Sequence, residues 1–292
     1  MRPLLNLPCS DVATDKAGAS SSSSSPVEAV SSPTSSFRTA YQLGKVLGVG
    51  SMSVVRIGTH RLDGRRIAVK CISSDDEELR EATRSEYALL RSARHHAVIH
   101  VEALYFNKDS MWICMDICES GCVESYVRRE GVLKEADAAS CFLQLLQGVD
   151  YIHSKRIVHR DLKPANLLLK SEGQLLLVIT DFNCAKQIGD SGARMLTERG
   201  THHFSAPELR FGRLWNERID IWSSGLCLYY MLRGELAFNI MDRETAKYMI
   251  QYARVPAVCW DGVTSLFQNL TLQCWTIDSC DRPPAMELLL HP

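Results

Sequence analysis

Apolar residues between Tyr41 and Ile117 come in short runs divided by glycine and polar turns, a pattern that predicts five strands and one helix. The strands include one from Tyr41, one over Val54 to Thr59 and one through Ala68-Val69-Lys70. The helix is expected over Asp76 to Ala93. From Ala136 to His153 the period changes, and Phe142, Leu145, Leu146, Val149 and Ile152 form a helical core stripe. Past Asp220 the chain is apolar on every face through Leu226, Leu228, Tyr229, Met231 and Leu232, so a fully buried helix is expected there. Residues 218–291 as a whole read as helices with short loops. The sum is an α+β chain, a small β-rich part followed by a larger, mainly helical one, with a hinge near Asp116 to Ser120.

The first forty residues are different material. Ser20 to Ser25 is an unbroken serine run, Pro26 and Pro33 follow it, and large apolar residues are nearly absent from Ser10 to Ser36. Such a stretch buries too little surface to fold, so residues 1–40 are expected to be a disordered tail and 41–292 the folded domain. Met1 to Pro8 is too short for a signal peptide, and Arg2 excludes myristoylation at that position.

Composition narrows the function classes. A length of 292 residues with 46% hydrophobic and 23% charged side chains supports a large core, and a net charge of −1 argues for neither nucleic acid nor membrane as a partner. Eleven cysteines are scattered without Cys-x-x-Cys pairs, several of them in apolar segments (Cys114, Cys141, Cys227). That is the usage of reduced core thiols in an intracellular, cytoplasmic protein. His95-His96 and His202-His203 show no metal-ligand spacing.

Chemistry concentrates in His159-Arg160-Asp161-Leu162-Lys163-Pro164-Ala165-Asn166, with Asp181-Phe182-Asn183 beginning 15 residues after Asn166. Phosphoryl transfer needs a carboxylate for the attacking hydroxyl, a cation near the phosphate and oxygen ligands for magnesium. Asp161, Lys163, Asn166 and Asp181 supply these parts in that order. Upstream, Leu47-Gly48-Val49-Gly50-Ser51-Met52-Ser53-Val54 sets glycines at a strand turn, where bare backbone can approach phosphate oxygens. A Gly-x-Gly alone is more often only a tight hairpin; Ala68-Val69-Lys70, about twenty residues on, gives this one its weight. Lys70 needs an acidic partner from the following helix. Glu86 is expected, because Tyr87, Leu89 and Leu90 mark a core-facing surface, with Glu81 as the alternative.

These motifs closely resemble the eukaryotic protein kinase superfamily, over about Tyr41 to Pro292, and so imply its two-lobed fold, with residues 41–117 as the small lobe and 118–292 as the large one. Lys163 and Gly200-Thr201 are similar to the serine/threonine branch. The Gly-Val-Gly-Ser loop, Ala185-Lys186-Gln187, Gly234 to Phe238 and the final Leu-Leu-Leu-His-Pro look most like the calcium/calmodulin-dependent group. The resemblance implies ATP and Mg2+ as cofactors and protein substrates with Ser/Thr acceptors. ATP contacts would come from Leu47 through Val54, Val55, Ala68, Lys70, Glu86, Met115, Asp116 and Cys118, with Asp161 as base and Asn166 and Asp181 on the metal. It further implies that Asp220 caps the catalytic-loop backbone, that Glu208 of Ala206-Pro207-Glu208 pairs with Arg282, and that Arg160 faces an activating phosphate on Thr197, placed by an upstream kinase or by autophosphorylation. Thr201 would be structural.

Three departures stand out. Ser53 replaces a third loop glycine. Asn183 replaces the glycine after Asp181-Phe182, where tolerance of positive φ is expected to be the requirement, and asparagine is the next most tolerant residue. Cys122 and Ala165 stand where the family usually carries carboxylates that meet a substrate arginine, with Glu119 or Glu124 as possible replacements. A scaffold that has lost catalysis, or a small-molecule phosphotransferase, would be the rival readings; Lys70, Asp161, Asn166 and Asp181 are all present, and the Ala-Pro-Glu segment fits a protein substrate.

Overall fold

The computed structural model describes residues 37–50, 53–171, 174–188, 202–210, 214–238 and 243–292. The first helical turn, α1 (Phe37–Ala40), leads into β1 (Tyr41–Val49), β2 (Val54–His60), β3 (Arg66–Ser73), α2 (Glu77–Arg91), β4 (Val101–Phe106) and β5 (Ser110–Met115). The strands form one antiparallel sheet in the order β1-β2-β3-β5-β4. Central β3 is buried from Ile67 through Lys70, and its side chains alternate between two cores. Ile67 and Val69 pack with Phe37, Tyr41 and Trp112, while Ala68 and Ile72 join the main core with Leu90 of α2.

Phe37 corrects the expected tail boundary. Residues 37–40 belong to the folded unit, because Phe37 is 3% exposed and stacks on Trp112 with ring centroids 4.9 Å apart. A ring of that size covers a sheet face that would otherwise leave indole in water. The remainder of the serine-rich stretch, residues 1–36, lies outside the described residues.

Beyond β5 come α3 (Val123–Glu130), α4 (Glu135–Ser154), β6 (Ile157–Val158), β7 (Leu167–Ser171), β8 (Gln174–Ile179), β9 (Lys186–Gln187), α5 (Pro207–Arg210), α6 (Ile219–Arg233), α7 (Arg243–Tyr252), α8 (Ser265–Cys274) and α9 (Ala285–Leu288). The two lobes thus form a small antiparallel sheet with one main helix and a larger helical assembly. The α4 stripe is buried from Ala138 to Ile152 as its period requires, and Gly148 lets α4 approach closely: a Cβ there would lie 2.7 Å from Ile179 Cδ1 and 3.1 Å from the Ala97 carbonyl. Nearly all of α6 is buried, and Gly225 admits Cys274 and Trp275 against it.

Two small antiparallel pairings, β6 with β9 and the hairpin of β7 with β8, interrupt the helical lobe. The β7–β8 pair has its signal in the apolar runs Leu167–Leu169 and Leu175–Ile179 around Glu172-Gly173, short enough to be strands. The two pairings position the residues expected to carry the chemistry, since the His159–Asn166 segment leaves β6 and Asp181 leaves β8. No helix among the described residues is long and apolar enough to cross a membrane.

Arg282 is the largest buried charge in this lobe, at 0% exposure. Its guanidinium meets Glu208 at 2.8 and 3.3 Å, the carbonyls of Thr276, Arg218 and Ile277, and the face of Trp222. Every side of the fork is satisfied, and α5 is pinned to the segment before α9. Truncating one partner leaves the other charge buried alone. Glu208→Ala should therefore lower unfolding free energy by about 3–5 kcal/mol in denaturant titrations. A loss under about 1 kcal/mol would show that Arg282 finds water in the variant and that the pair does not hold the lobe.

Candidate active site

Strand register places the sequence motifs beside one another. Gly48 of β1 pairs with Val55 of β2, Val55 with Lys70 of β3, and Lys70 with Ile113 of β5. Two residues along, Ile57 pairs with Ala68 and Ala68 with Met115. The turn between β1 and β2 is closed by the Gly50 N–H on the Ser53 carbonyl at 2.8 Å. Leu47 and Val49 next to it are exposed, and Val54 is half-buried. Ser51 and Met52 lie outside the described residues.

Lys70 Nζ is nine-tenths enclosed and lies 3.0 and 3.2 Å from the two Glu86 oxygens, 3.1 Å from Asp181 Oδ1 and 2.9 Å from Asn183 Oδ1. Helix α2 delivers Glu86 because Thr83, Glu86 and Leu90 share its inner face, and Asp76 caps its start by accepting from the Glu78 N–H at 2.9 Å. Glu81, the alternative partner, is on the outer face and pairs with Arg84 at 3.1 Å. Burial works against the ammonium, but the carboxylates of Glu86 and Asp181 outweigh it and hold the Lys70 pKa above its ordinary value. The lysine stays charged.

The loop after β6 is built on Asp220. Its Oδ2 accepts from the His159 N–H at 2.8 Å and its Oδ1 from the Arg160 N–H at 2.9 Å, while His153 Nε2 lies 2.9 Å from Oδ2. Burial would raise this pKa, yet the His153 bond and the backbone N–H keep it below the usual carboxylate range. Arg160 takes φ 66°, a left-handed conformation that costs an L-residue roughly 1–2 kcal/mol and that turns its N–H toward Asp220. Its Nε donates to the Cys184 carbonyl at 2.5 Å, and its guanidinium lies 5.7 Å from the Trp215 ring centre. Thr197 and Thr201 lie outside the described residues.

Asp161 follows. Lys163 Nζ is 2.7 Å from Asp161 Oδ2, and Asn166 Nδ2 donates to the Asp161 carbonyl at 2.8 Å and to Oδ2 at 3.2 Å. His159 is fully buried, its Nε2 3.0 Å from the Thr180 carbonyl and its ring edge-on to Phe182. The Thr180 N–H donates to the Asn166 carbonyl at 3.0 Å, so the loops after β6 and β8 run side by side.

Oxygen atoms for a cation remain on both loops. Asn166 commits its Nδ2 to Asp161, which leaves its amide oxygen as an acceptor. The bonds at Asp181 end on Oδ1, which leaves Oδ2. Two hard oxygens from adjacent loops fit magnesium, which takes one or two protein oxygens and completes its octahedron with phosphate and water.

The expectation for Asn183 is corrected. Asp181, not Asn183, has the left-handed backbone, at φ 64° and ψ 69°. Asn183 is instead in the short 3-10 turn Phe182–Cys184, and its contribution is its side chain, which reaches both Lys70 and Asp181. Sequence reasoning missed this role, as it missed His153, whose partner is 67 residues away.

At the hinge, Met115 ends β5, and the Asp116 N–H donates to the His100 carbonyl at 3.0 Å. Lys170 lies 3.7 Å from the Asp116 carboxylate. Burial pushes the Cys118 thiol up to about 11, so it is present as S–H. Cys122 caps α3, with its Sγ and Ser125 in reciprocal contact. Glu119 pairs with Arg66 at 2.7 Å and Glu124 approaches Arg128 at 3.8 Å.

Comparison with known proteins meets this geometry. Residues 41–292 match the family model for the protein kinase domain. "Serine/threonine protein kinase OSK3" of Oryza sativa subsp. indica is 34% identical over 203 residues, 68% of this chain and 39% of that protein. "Sperm motility kinase 2A" of Mus musculus is 30% identical over 257 residues, 88% and 50% of the two chains. "CBL-interacting protein kinase 8" of Oryza sativa subsp. japonica is 30% identical over 236 residues, 79% and 52%. The chain thus spans about half or less of the relatives it matches. With a lysine–glutamate pair, an Asp220-supported loop and a match over residues 41–292, the chain belongs to the protein kinase domain family, whose members use ATP and a divalent metal.

Proposed function

We propose that the chain is a serine/threonine protein kinase that transfers the γ-phosphoryl group of Mg-ATP to hydroxyls of protein substrates. The observation that carries this reading is Asp161: its carboxylate is bracketed by Lys163 and Asn166 and lies one loop away from Asp181, itself tied to Lys70. In the proposed reaction the acceptor hydroxyl gives its proton to Asp161, its oxygen bonds to the γ-phosphorus, and the bond to the β-phosphate oxygen breaks, leaving ADP. Lys163 stays at the transferring oxygens as a fixed cation. Lys70 holds the α- and β-phosphates, and Gly48 and Gly50 let the turn between β1 and β2 approach them without side chains in the way. Bound magnesium, on Asn166 and Asp181, would neutralise charge on the β- and γ-oxygens. Ala68, Val55, Leu47 and Met115 would contact the base, with Asp116 and Cys118 at the hinge. Ten free cysteines among the described residues support a reducing, cytoplasmic setting.

Asp161→Asn keeps the shape and removes the proton acceptor. The variant should retain its unfolding profile and lose about 10²–10⁴ in kcat on a protein or peptide substrate. Turnover at the unmodified rate would show that another group takes the proton.

Substrate selection follows from the departures. No carboxylate stands at Cys122 or Ala165, Cys122 is committed to the α3 cap, and Glu119 and Glu124 each face an arginine of the chain itself. A charge-assisted bond to a substrate guanidinium would be worth more than any contact cysteine or alanine can offer. In a positional peptide array, replacing an arginine just upstream of the acceptor by alanine should change kcat/KM less than about tenfold, or about 1.4 kcal/mol. Dominance of arginine at those positions would refute the assignment.

A further inference from the structure

Asn183 makes the most unusual contact in the site. Lys70 has three N–H donors and four oxygens within 3.2 Å, two from Glu86, one from Asp181 and one from Asn183. Asn183 Nδ2 also lies 2.5 Å from Asp181 Oδ1. The amide has one workable orientation here. An ammonium only donates and a carboxylate only accepts, so Oδ1 must face Lys70 and Nδ2 must face Asp181. Glycine could make neither bond. The backbone does not ask for asparagine either, since the left-handed residue is Asp181.

We propose that Asn183 is a positioning residue that makes the site favour metal-bound over metal-free nucleotide, by clamping Asp181 Oδ1 and occupying a donor of Lys70. The inference rests on the kinase reading above. Two consequences follow from one side chain. For a nucleotide without metal, Lys70 is the main attraction, and incoming phosphate must displace Asn183, the only neutral one of the four acceptors. That competition weakens binding. For a nucleotide with magnesium, the Asp181 carboxylate must offer an oxygen in a fixed place. With Oδ1 held by Asn183 as well as Lys70, Oδ2 is the oxygen left for the cation, and less freedom is lost when the cation arrives. The left-handed Asp181 backbone is held by the same bond, which closes a ring across residues 181–183.

The test is ADP binding by calorimetry to the full chain, once with chelator and once with saturating magnesium, for the native protein, Asn183→Gly and Asn183→Ala. The quantity read is the ratio of the two affinities, and no catalysis is involved. Both variants should bind metal-free ADP at least as tightly as the native chain, and their magnesium enhancement should fall about tenfold, the low end of the range for a hydrogen bond to a charged group. Agreement between glycine and alanine assigns the effect to the lost amide and not to backbone freedom. An unchanged or larger ratio in either variant overturns the proposal, whether both affinities hold or both fall together as a general loss of structure would make them. A native chain that binds ADP under neither condition would instead strike the kinase reading itself.

Discussion

A buried ammonium cannot stand alone, and the small lobe is arranged around that fact. Lys70 is on the central strand with its head removed from water, a position that costs several kcal/mol unless charge and hydrogen bonds compensate. Glu86 compensates from α2 and Asp181 from the loop after β8. One lysine therefore sets the rotation of a helix, the position of a loop that belongs to the other lobe, and the face of β3 that looks into the site. The apolar stripe of α2 only has to agree with this, and Thr83 and Leu90 beside Glu86 do agree. Because the three carriers come from distant parts of the chain, the site and the packing between sheet, helix and loop are one structure. Disturbing any of them disturbs the charge.

Asp220 does for the larger lobe what Lys70 does for the smaller. It is fully buried at the start of α6, held by two backbone N–H groups and His153. Those bonds exceed the cost of burying it, and they also sustain Arg160 in a left-handed conformation that few non-glycine residues adopt. The turn at Arg160 sets the direction from which Asp161 enters the site. Asp181, opposite, is left-handed as well, so two of the four left-handed non-glycine residues among the described ones, the others being Arg156 and Ala253, border or carry the two carboxylates of the proposed reaction. At these two positions the strained backbone fixes direction, and β6, β8 and α6 beside them hold it in place.

Much of this was legible in the residues. The five strands and α2 follow from short apolar runs and glycine turns, the α4 stripe from its period, and buried α6 from a helix with no polar face. Glu86 could be separated from Glu81 because the apolar neighbours of one mark the inner face. Other features were hidden for physical reasons. Phe37 sits at the edge of a polar stretch, and a single aromatic among serines carries no periodicity. The β6–β9 pairing involves two residues on each strand, below the length at which alternation can be read. Asn183 was interpretable from sequence only as a substitute for glycine, since a backbone requirement is visible in residue type whereas a side-chain bond to a lysine 113 positions away is not. His153 was obscure for the same reason.

In the proposed reaction the cluster around Lys70 serves phosphoryl transfer and not only the fold. The most direct test of that role is incorporation of labelled γ-phosphate from Mg-ATP, into the chain itself and into a serine- and threonine-rich protein, compared between the native chain and Lys70→Met. Methionine fills the same volume without the charge, and Glu86 can take a proton in its place, so circular dichroism and melting should still report a folded protein. Labelling of serine or threonine by the native chain is expected, with a loss of at least about 100-fold in the variant, the scale of removing one fixed electrostatic contact to the transition state. Equal labelling by both proteins, or none by the native chain under conditions where it is folded and metal is saturating, would contradict that role.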